Sequence, residues 1–180
     1  MAKKKAAKKK TRSAIGKSSG KKGKAFEQKI ARDLRLIYDG PEWVEHHKDL
    51  TPKQRAAHIK SSRVRRSDQA KGAREPDLVV SERSWWFELQ HTNADHFNPE
   101  GKLLQAERDI AHREEVGKWH PISICLQTGC RTTWCAMRLK TLLLLATGKF
   151  QTFLEGAEAI VRVPYDDVKH MLEQDEQRPL

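Results

Sequence analysis

Two apolar runs separated by a short polar segment constrain the fold of this chain more than any other feature of its sequence. Residues 76–80 and 85–90 are rich in β-branched and aromatic side chains, which is typical of strands. The polar residues between them, 81–84, are enough for a hairpin loop. A turn centred in this loop places Asp77 directly opposite Glu88. The sequence therefore predicts a hairpin that carries two carboxylates at the same level.

Two opposed carboxylates repel each other, so their position in a hairpin needs a physical reason. Side chains directly opposite each other have Cβ atoms about 4.5–5.5 Å apart, and a hard cation such as Mg²⁺ between them is the usual reason. Side chains alternate along a strand, so Gln90 projects on the same face as Glu88. The other face, directed toward a core, carries Trp85, Phe87 and Leu89.

The spacing resembles the signature of the PD-(D/E)xK nuclease superfamily, and it runs over Pro76-Asp77, ten intervening residues and Glu88-Leu89-Gln90. The superfamily usually ends this motif in Lys, although some of its restriction endonucleases have Gln there. The resemblance implies an α/β fold with a restriction-endonuclease-like core, in which helices flank a central mixed sheet. It also implies that Asp77, Glu88 and the backbone carbonyl of Leu89 hold Mg²⁺, for which Mn²⁺ can substitute, while Gln90 orients a water.

An amphipathic helix is predicted upstream, over residues 24–38, because apolar side chains recur there at helical spacing. The apolar stripe consists of Phe26, Ile30, Leu34 and Ile37. Glu27 lies beside this stripe, and the first core helix of the superfamily often carries a Glu that reaches the metal site. The resemblance therefore implies a catalytic role for Glu27. An ordinary first-turn Glu that faces the helix dipole is the alternative, and the sequence leaves both open.

The elements predicted further along the chain follow the order of the nuclease core. Helices are predicted over residues 100–116 and 139–147 and beyond residue 164, strands over 121–126, 133–137 and 160–163, and an earlier first strand around Trp43 and His47. Within the superfamily, the small size and basic character most resemble archaeal and phage-type Holliday junction resolvases. That subgroup implies cleavage of branched DNA.

The amino-terminal segment is strongly basic. Residues 1–24 contain eleven Lys and Arg and no acid, whereas the whole chain has 35 Lys and Arg against 24 Asp and Glu, so the rest of the chain is balanced. A tract of Lys, Ala, Ser and Gly cannot bury a core, which predicts a disordered tail over residues 1–23 and one nuclease-like domain over residues 24–180. Such arms bind phosphate backbones, with a solubilising tail or a nuclear-localisation-like address as the alternatives.

A second basic segment, residues 48–74, leads into the Asp77 strand and would deliver positive charge next to a scissile phosphate. Within it, Thr51 and Pro52 predict the start of a helix. Lys102, near the start of the next helix, is a candidate for the cation that Gln90 lacks. The predicted DNA contacts are Arg63, Arg65, Arg66, Lys71, Arg74 and Lys102.

The remaining features exclude several classes of protein. Cys125 and Cys135 fall in apolar strands and are predicted to be small buried hydrophobes in a reducing compartment, not zinc ligands. No apolar run spans a membrane and no signal peptide is evident, which predicts a cytoplasmic protein without a membrane partner. Apolar residues at Trp134, Met137 and 142–145 suggest a homodimer interface.

Together with these observations, the resemblance implies a Mg²⁺-dependent DNA endonuclease that acts on four-way junctions in recombination and repair. One alternative is another nuclease of the same superfamily, with a structure-specific, end-processing or restriction-like activity. The other is a non-catalytic nucleic-acid-binding module whose site has decayed.

Overall fold

A six-stranded mixed sheet with helices on both faces organises the chain. The computed structural model describes residues 12–66, 75–113, 117–148 and 158–179. Within these ranges the helices are α1 (Arg12–Tyr38), α2 (Pro41–Asp49), α3 (Pro52–Lys60), α4 (Pro99–Ala111), α5 (Leu139–Thr147) and α6 (Tyr165–Glu176). The strands are β1 (Val64–Arg66), β2 (Leu78–Val80), β3 (Trp85–Thr92), β4 (His120–Gln127), β5 (Thr133–Arg138) and β6 (Ile160–Pro164). The α/β class and the mixed sheet agree with the sequence prediction.

The strands lie side by side in chain order. Strands β1, β2 and β3 form an antiparallel meander, and β4, β5 and β6 form a second one. The two meanders join through the parallel pair β3 and β4, in which Glu88 lies beside Ser123. A parallel pair requires a crossover connection, and α4 supplies it.

The larger part of the core lies between the sheet and the helices α1, α5 and α6. The predicted stripe of α1 faces this core, since Phe26, Ile30 and Leu34 are at most 4% exposed. The β3 side chains predicted to point inward are buried in the same cluster, namely Trp85, Phe87 and Leu89. The alternation of β3 therefore sets which of its residues belong to the core and which do not.

Helix α4 covers the opposite face of the sheet. A smaller cluster there joins Trp86 of β3 to Ala106 and Ile110 of α4. The Ser123 hydroxyl donates a 2.7 Å hydrogen bond to the carbonyl oxygen of Pro99, which attaches the first turn of α4 to β4. Helix α4 ends at Ala111, earlier than the predicted residue 116. Its position places residues of its first turns beside the face of β3 that carries Glu88.

The start of α1 differs from the prediction. The helix begins at Arg12, so residues 12–23, which were assigned to the disordered tail, are helical, and residues 1–11 lie outside the described part of the chain. Residues 12–23 include three Ser and three Gly, which are weak helix formers, so this extension depends on the part of α1 that is anchored by its buried stripe. Glu27 consequently lies in the middle of α1 and not in its first turn, which removes the helix-dipole alternative.

The predicted strand around Trp43 is wrong, because that segment forms α2. Its sequence contains helix signals, with Pro41 at the first position, Glu42 in the first turn and basic side chains in the last turn. The first strand of the sheet is β1, more than a dozen residues later. The predicted start of α3 is confirmed, since Pro52 opens it and the Thr51 backbone N–H donates to the Gln54 side chain.

Two of the three cysteines, and some of the apolar residues that were assigned to a dimer interface, are buried. Cys125 and Cys135 are buried and unpaired, as predicted. Met137 and Leu145 are fully buried, so they are not available for the dimer interface that was predicted to include them. Within the described ranges, no helix combines the length and the apolar character that crossing a bilayer demands.

Candidate active site at the end of the β2–β3 hairpin

The hairpin has the register that the sequence predicts. Leu78 pairs with Phe87 and Val80 with Trp85, so one further step places Asp77 opposite Glu88. Asp77 lies just before β2, and its Oδ2 atom accepts a 2.7 Å hydrogen bond from the backbone N–H of Leu89. This bond fixes the Asp77 carboxylate at the level of Glu88 and Leu89.

Glu88 is the most buried carboxylate of the site, with 4% of its surface exposed. Trp86 Nε1 donates to Glu88 Oε1 at 3.1 Å, and Lys102 Nζ lies 3.5 Å from Glu88 Oε2. The pKa of Glu88 is raised to about 7, mainly by burial and next by the Asp77 carboxylate, while Lys102 and Trp86 act in the opposite direction. The pair Asp77 and Glu88 therefore stores a repulsion that a nearby cation would relieve.

Burial also raises the pKa of Asp77, and the hydrogen bond from Leu89 and the charges of Lys102 and Arg66 oppose this rise. Positive charge thus approaches the carboxylate pair from two sides. Lys102 comes from α4 on one face of the sheet, and Arg66 comes from the end of β1 on the other. A phosphate placed at this edge of the hairpin would meet both cations.

Glu27 reaches the same edge from α1. Its Oε2 atom forms an ion pair with Arg66 Nη2. Its pKa is raised, chiefly by burial and to a smaller extent by Asp77, whereas Arg66 lowers it. The structure therefore brings Glu27 near the carboxylate pair, with Arg66 as its direct partner.

The backbone of Leu89 faces the same point. In a strand the N–H and C=O of one residue are directed to the same neighbour, as the antiparallel ladder shows. Since the Leu89 N–H donates to Asp77 beyond the end of β2, its carbonyl is directed to the same side. The predicted ligand atom is thus on the side of the carboxylate pair.

Gln90 and Lys102 share a cleft of about 580 Å³ with Gln105, which lies one helical turn beyond Lys102 on α4. The segment from Asp95 to Asn98 forms its other wall. Gln90 Oε1 accepts a long contact of 3.8 Å from Cys125 Sγ. The cleft therefore extends from the carboxylate site along the start of α4.

The predicted DNA contacts fall into four groups. Arg66 and Lys102 belong to the site. Arg63 pairs with Glu82 and Glu176 at the opposite end of β1, where β1 meets the hairpin loop, so it stabilises the fold and does not join the site. Exposed Arg65 lies on the face of the sheet that carries Val79, as its pairing with that residue indicates. Lys71 and Arg74 lie outside the described residues.

The carboxylates form a pair and not a closed cage. Within the residues that the structure describes, no group of three His, Cys, Asp or Glu side chains could enclose a metal ion. Magnesium is nevertheless often held by one or two carboxylates together with waters and substrate phosphates. The hard oxygen atoms of Asp77, Glu88 and the Leu89 carbonyl fit this mode of binding.

Two contacts of the site were missed by sequence reasoning. The first is the hydrogen bond from Trp86 to Glu88, although both residues occupy alternate positions on one face of β3 and the strand period could have revealed it. The second is the ion pair of Arg66 with Glu27, which joins residues 39 positions apart. No local pattern in a sequence reports such a long-range contact.

Comparisons of this chain with protein-family models, with curated proteins and with solved structures give no match.

Proposed function

We propose that this protein is a metal-dependent DNA endonuclease with a restriction-endonuclease-like core of the PD-(D/E)xK type. The observation that carries the proposal is the convergence of Asp77 and Glu88 at the end of the hairpin, with Lys102 3.5 Å from Glu88. Two acids with raised pKa values, Glu88 buried and Asp77 partly buried, beside two cations are typical of sites that bind a metal and a phosphate.

The topology supports the same proposal. A helix precedes an antiparallel meander of three strands, a crossover helix follows, and a fourth strand runs parallel to the third. This is the order that the sequence resemblance implies. Both carboxylates lie where β2 and β3 meet, which is where the superfamily signature would place them.

The residues of the site divide the work of phosphodiester hydrolysis. Asp77, Glu88 and the Leu89 carbonyl would hold Mg²⁺ or Mn²⁺, which when bound polarises phosphoryl oxygens and acidifies water. Lys102 neutralises negative charge that develops on the phosphate, which is the role that the superfamily usually gives to Lys at the Gln90 position. Gln90, which carries no charge, orients the attacking water through its amide. Glu27 holds Arg66 at the edge of the site, where the guanidinium contacts the phosphate backbone.

The substrate we propose is branched DNA, in particular a four-way junction, cut by a two-fold symmetric homodimer. The basic amino-terminal segment adds affinity for the phosphate backbone without taking part in the chemistry. A non-catalytic nucleic-acid-binding module is the second candidate, and the absence of Lys at position 90 favours it. Lys102 weighs against that alternative, because its ammonium group lies 3.5 Å from Glu88 and could supply the charge that Gln90 lacks.

The experiment is a cleavage assay of four-way junction, nicked duplex and plain duplex, each with and without Mg²⁺. Asp77→Asn and Glu88→Gln are expected to abolish cleavage and to leave DNA binding intact or tighter, because negative charge near the phosphate is lost. Both variants should fold, since an amide oxygen can still accept the hydrogen bonds from Leu89 and Trp86.

The matched control is Asp167→Asn, which changes an exposed carboxylate on α6, far along the chain from the hairpin. It should cleave at the wild-type rate. If either hairpin variant also cleaves at that rate, the site is assigned wrongly. If wild-type protein binds every DNA substrate and cleaves none of them, the non-catalytic module is the better description.

A further inference from the structure

A second cavity lies on the α1 face of the sheet, between α1, α2 and α3. Its volume is about 610 Å³, which is within the usual range for ligand pockets. One part of its wall is the ion pair of Glu27 with Arg66, which is also the edge of the carboxylate site. A ligand held in this cavity would therefore lie next to the proposed catalytic centre.

The rim of the cavity is strongly basic. Its lining includes one acid, Glu27, and the cations Arg32, Arg35, Lys48, Arg55 and Arg66. Arg66 is neutralised by an ion pair with Glu27, and Lys48 by an ion pair with Glu45. The cations that remain are Arg32, Arg35 and Arg55.

Two of the remaining guanidinium groups donate to neutral partners. Arg55 donates to the backbone carbonyls of His47 and Lys48, and Arg35 donates to the Ser62 hydroxyl at 3.3 Å. Burial lowers the pKa of Arg35, and Asp39 only partly offsets this effect. An anion at the rim would stabilise these charges.

The floor of the cavity is apolar and aromatic. Trp43 stacks on His58, with ring centroids 4.1 Å apart and planes inclined by 16°. Ile59 of α3 lines the cavity and is 37% exposed. The Trp43 Nε1 atom is buried, and no described residue accepts a hydrogen bond from it. A large apolar side chain left open beside an aromatic stack is a surface on which a planar ring can pack.

We propose that this cavity binds one unpaired nucleotide, with the base against Trp43 and Ile59 and the phosphate at Arg32 and Arg55. Aromatic packing joined to a cationic rim is the chemistry by which proteins hold single-stranded nucleic acid. A base in a duplex is held by hydrogen bonds to its complementary base and cannot enter the cavity alone. The cavity therefore suits one unpaired nucleotide. The proposal rests on the proposed function for its choice of DNA, and it adds that a strand opened at a branch point is captured beside the cutting site.

Equilibrium binding in the presence of EDTA tests the cavity without any cleavage. The probes are a labelled short oligothymidylate, a blunt duplex of the same length and unlabelled dTMP as competitor. Ile59→Glu is expected to weaken binding of the single strand by roughly tenfold, because one base-packing contact is lost and a negative charge is placed in its way. Binding of the blunt duplex should change much less.

Arg32→Ala tests the rim, and Lys29→Ala is its matched control. Both residues are exposed cations on α1, but only Arg32 lines the cavity. Arg32→Ala should reduce the slope of log K against log salt by about 0.7 for the single strand, which corresponds to one lost phosphate contact, and Lys29→Ala should leave that slope unchanged. Both positions are exposed, so the variants should fold, and thermal melting checks this.

The source of the nucleotide follows from the competitor. Displacement of the labelled strand by dTMP in the wild type would show that a free nucleotide suffices. Failure of dTMP beside an Ile59-dependent single-strand affinity would show that the cavity recognises the unit only within a strand. Both results support the proposal.

Two results would overturn the proposal: equal single-strand binding by wild type and Ile59→Glu, or equal losses for single strand and duplex. The cleavage assay reports separately on the carboxylate site. A loss of activity in Glu88→Gln together with unchanged binding by Ile59→Glu would retain the nuclease and reject the cavity. The reverse result would retain the cavity and reject the nuclease.

Discussion

At the scale of single residues, Glu88 is the group whose protonation connects stability to the proposed chemistry. It is 4% exposed and its pKa is raised to about 7. In the unfolded chain its pKa is close to the ordinary value of about 4.3. Between these two values the unfolded chain has released the proton that the folded protein still holds. This group therefore favours folding most at low pH, and its contribution is lost as pH rises toward 7.

We predict that Glu88→Gln removes this dependence. Relative to the wild type, the free energy of unfolding of the variant should increase by up to about 3 kcal/mol between pH 4 and pH 8, because the amide cannot ionise. Urea denaturation at several pH values without divalent metal measures the difference. Glu42→Gln changes an exposed carboxylate on α2, and its free energy of unfolding should depend on pH in the same way as that of the wild type. If the free energy of unfolding of Glu88→Gln follows the same pH dependence as that of the wild type, the pKa of Glu88 is not raised.

Variants of Gln90 and Lys102 test which residue supplies the positive charge in the proposed site. Gln90→Lys should retain or increase cleavage, since it adds a cation on the face of β3 that carries Glu88. Lys102→Ala should lower the single-turnover rate by roughly 100-fold, the usual loss for one group that stabilises a developing negative charge. Gln90→Ala should reduce the rate less. If Lys102→Ala cleaves at the wild-type rate and Gln90→Ala cleaves much more slowly, then Gln90 on β3, and not Lys102 on α4, is the residue that the reaction requires.

The residues of the hairpin were predictable because the strand period and one turn fix them. Asp77, Glu88 and Gln90 follow from alternation and register alone, and the pairing of Leu78 with Phe87 confirms that register. Arg63 was assigned to DNA from its position in a basic segment, but it pairs with Glu176, which is 113 residues away. Charge in a sequence reports neither the direction of a side chain nor its distant partners.

At the scale of elements, α1 determines whether the site is held together, because it carries Glu27 and its buried stripe fixes it on the sheet. Ile30 is fully buried and Leu36, on the same helix, is 42% exposed. We predict that Ile30→Ala lowers the free energy of unfolding by about 2–5 kcal/mol, and that Leu36→Ala changes it by no more than about 0.5 kcal/mol. Chemical denaturation compares the two, and similar losses would mean that α1 packs differently.

Elements with a strong apolar period were predicted well, and those without one were not. Helix α5 runs over residues 139–147, as predicted, and α1 ends at the predicted Tyr38. Helices α2 and α3 bury little, since Val44 is the one buried residue of α2 and α3 has none. Their apolar pattern was therefore too weak to distinguish a helix from a strand. Only the residues at the start of each segment, such as Pro41 and Pro52, indicated a helix.

At the scale of the whole molecule, the charge and the apolar surface are distributed unevenly. The segment of residues 1–24 carries the entire excess of positive charge, and the rest of the chain is balanced. Much of the apolar surface that suggested a dimer is used within one chain, because Leu145 is fully buried and Leu142 and Leu144 pack against its core. Two subunits are therefore expected only from the proposed reaction, in which one site cuts one strand and a four-way junction needs two symmetric cuts.

Mixed dimers test directly whether two subunits each cut one strand. Wild-type and Glu88→Gln subunits carrying different affinity tags can be produced together and purified through both tags, which yields dimers with one active site. On a supercoiled plasmid with an extruded cruciform, such a dimer should nick one strand and accumulate open circles, because its second site cannot cut. The wild-type dimer should instead release linear DNA within one binding event. Failure of the two tags to co-purify at micromolar concentration, on junction DNA as well as without it, would show a monomer and would favour a nicking or end-processing nuclease over a resolvase.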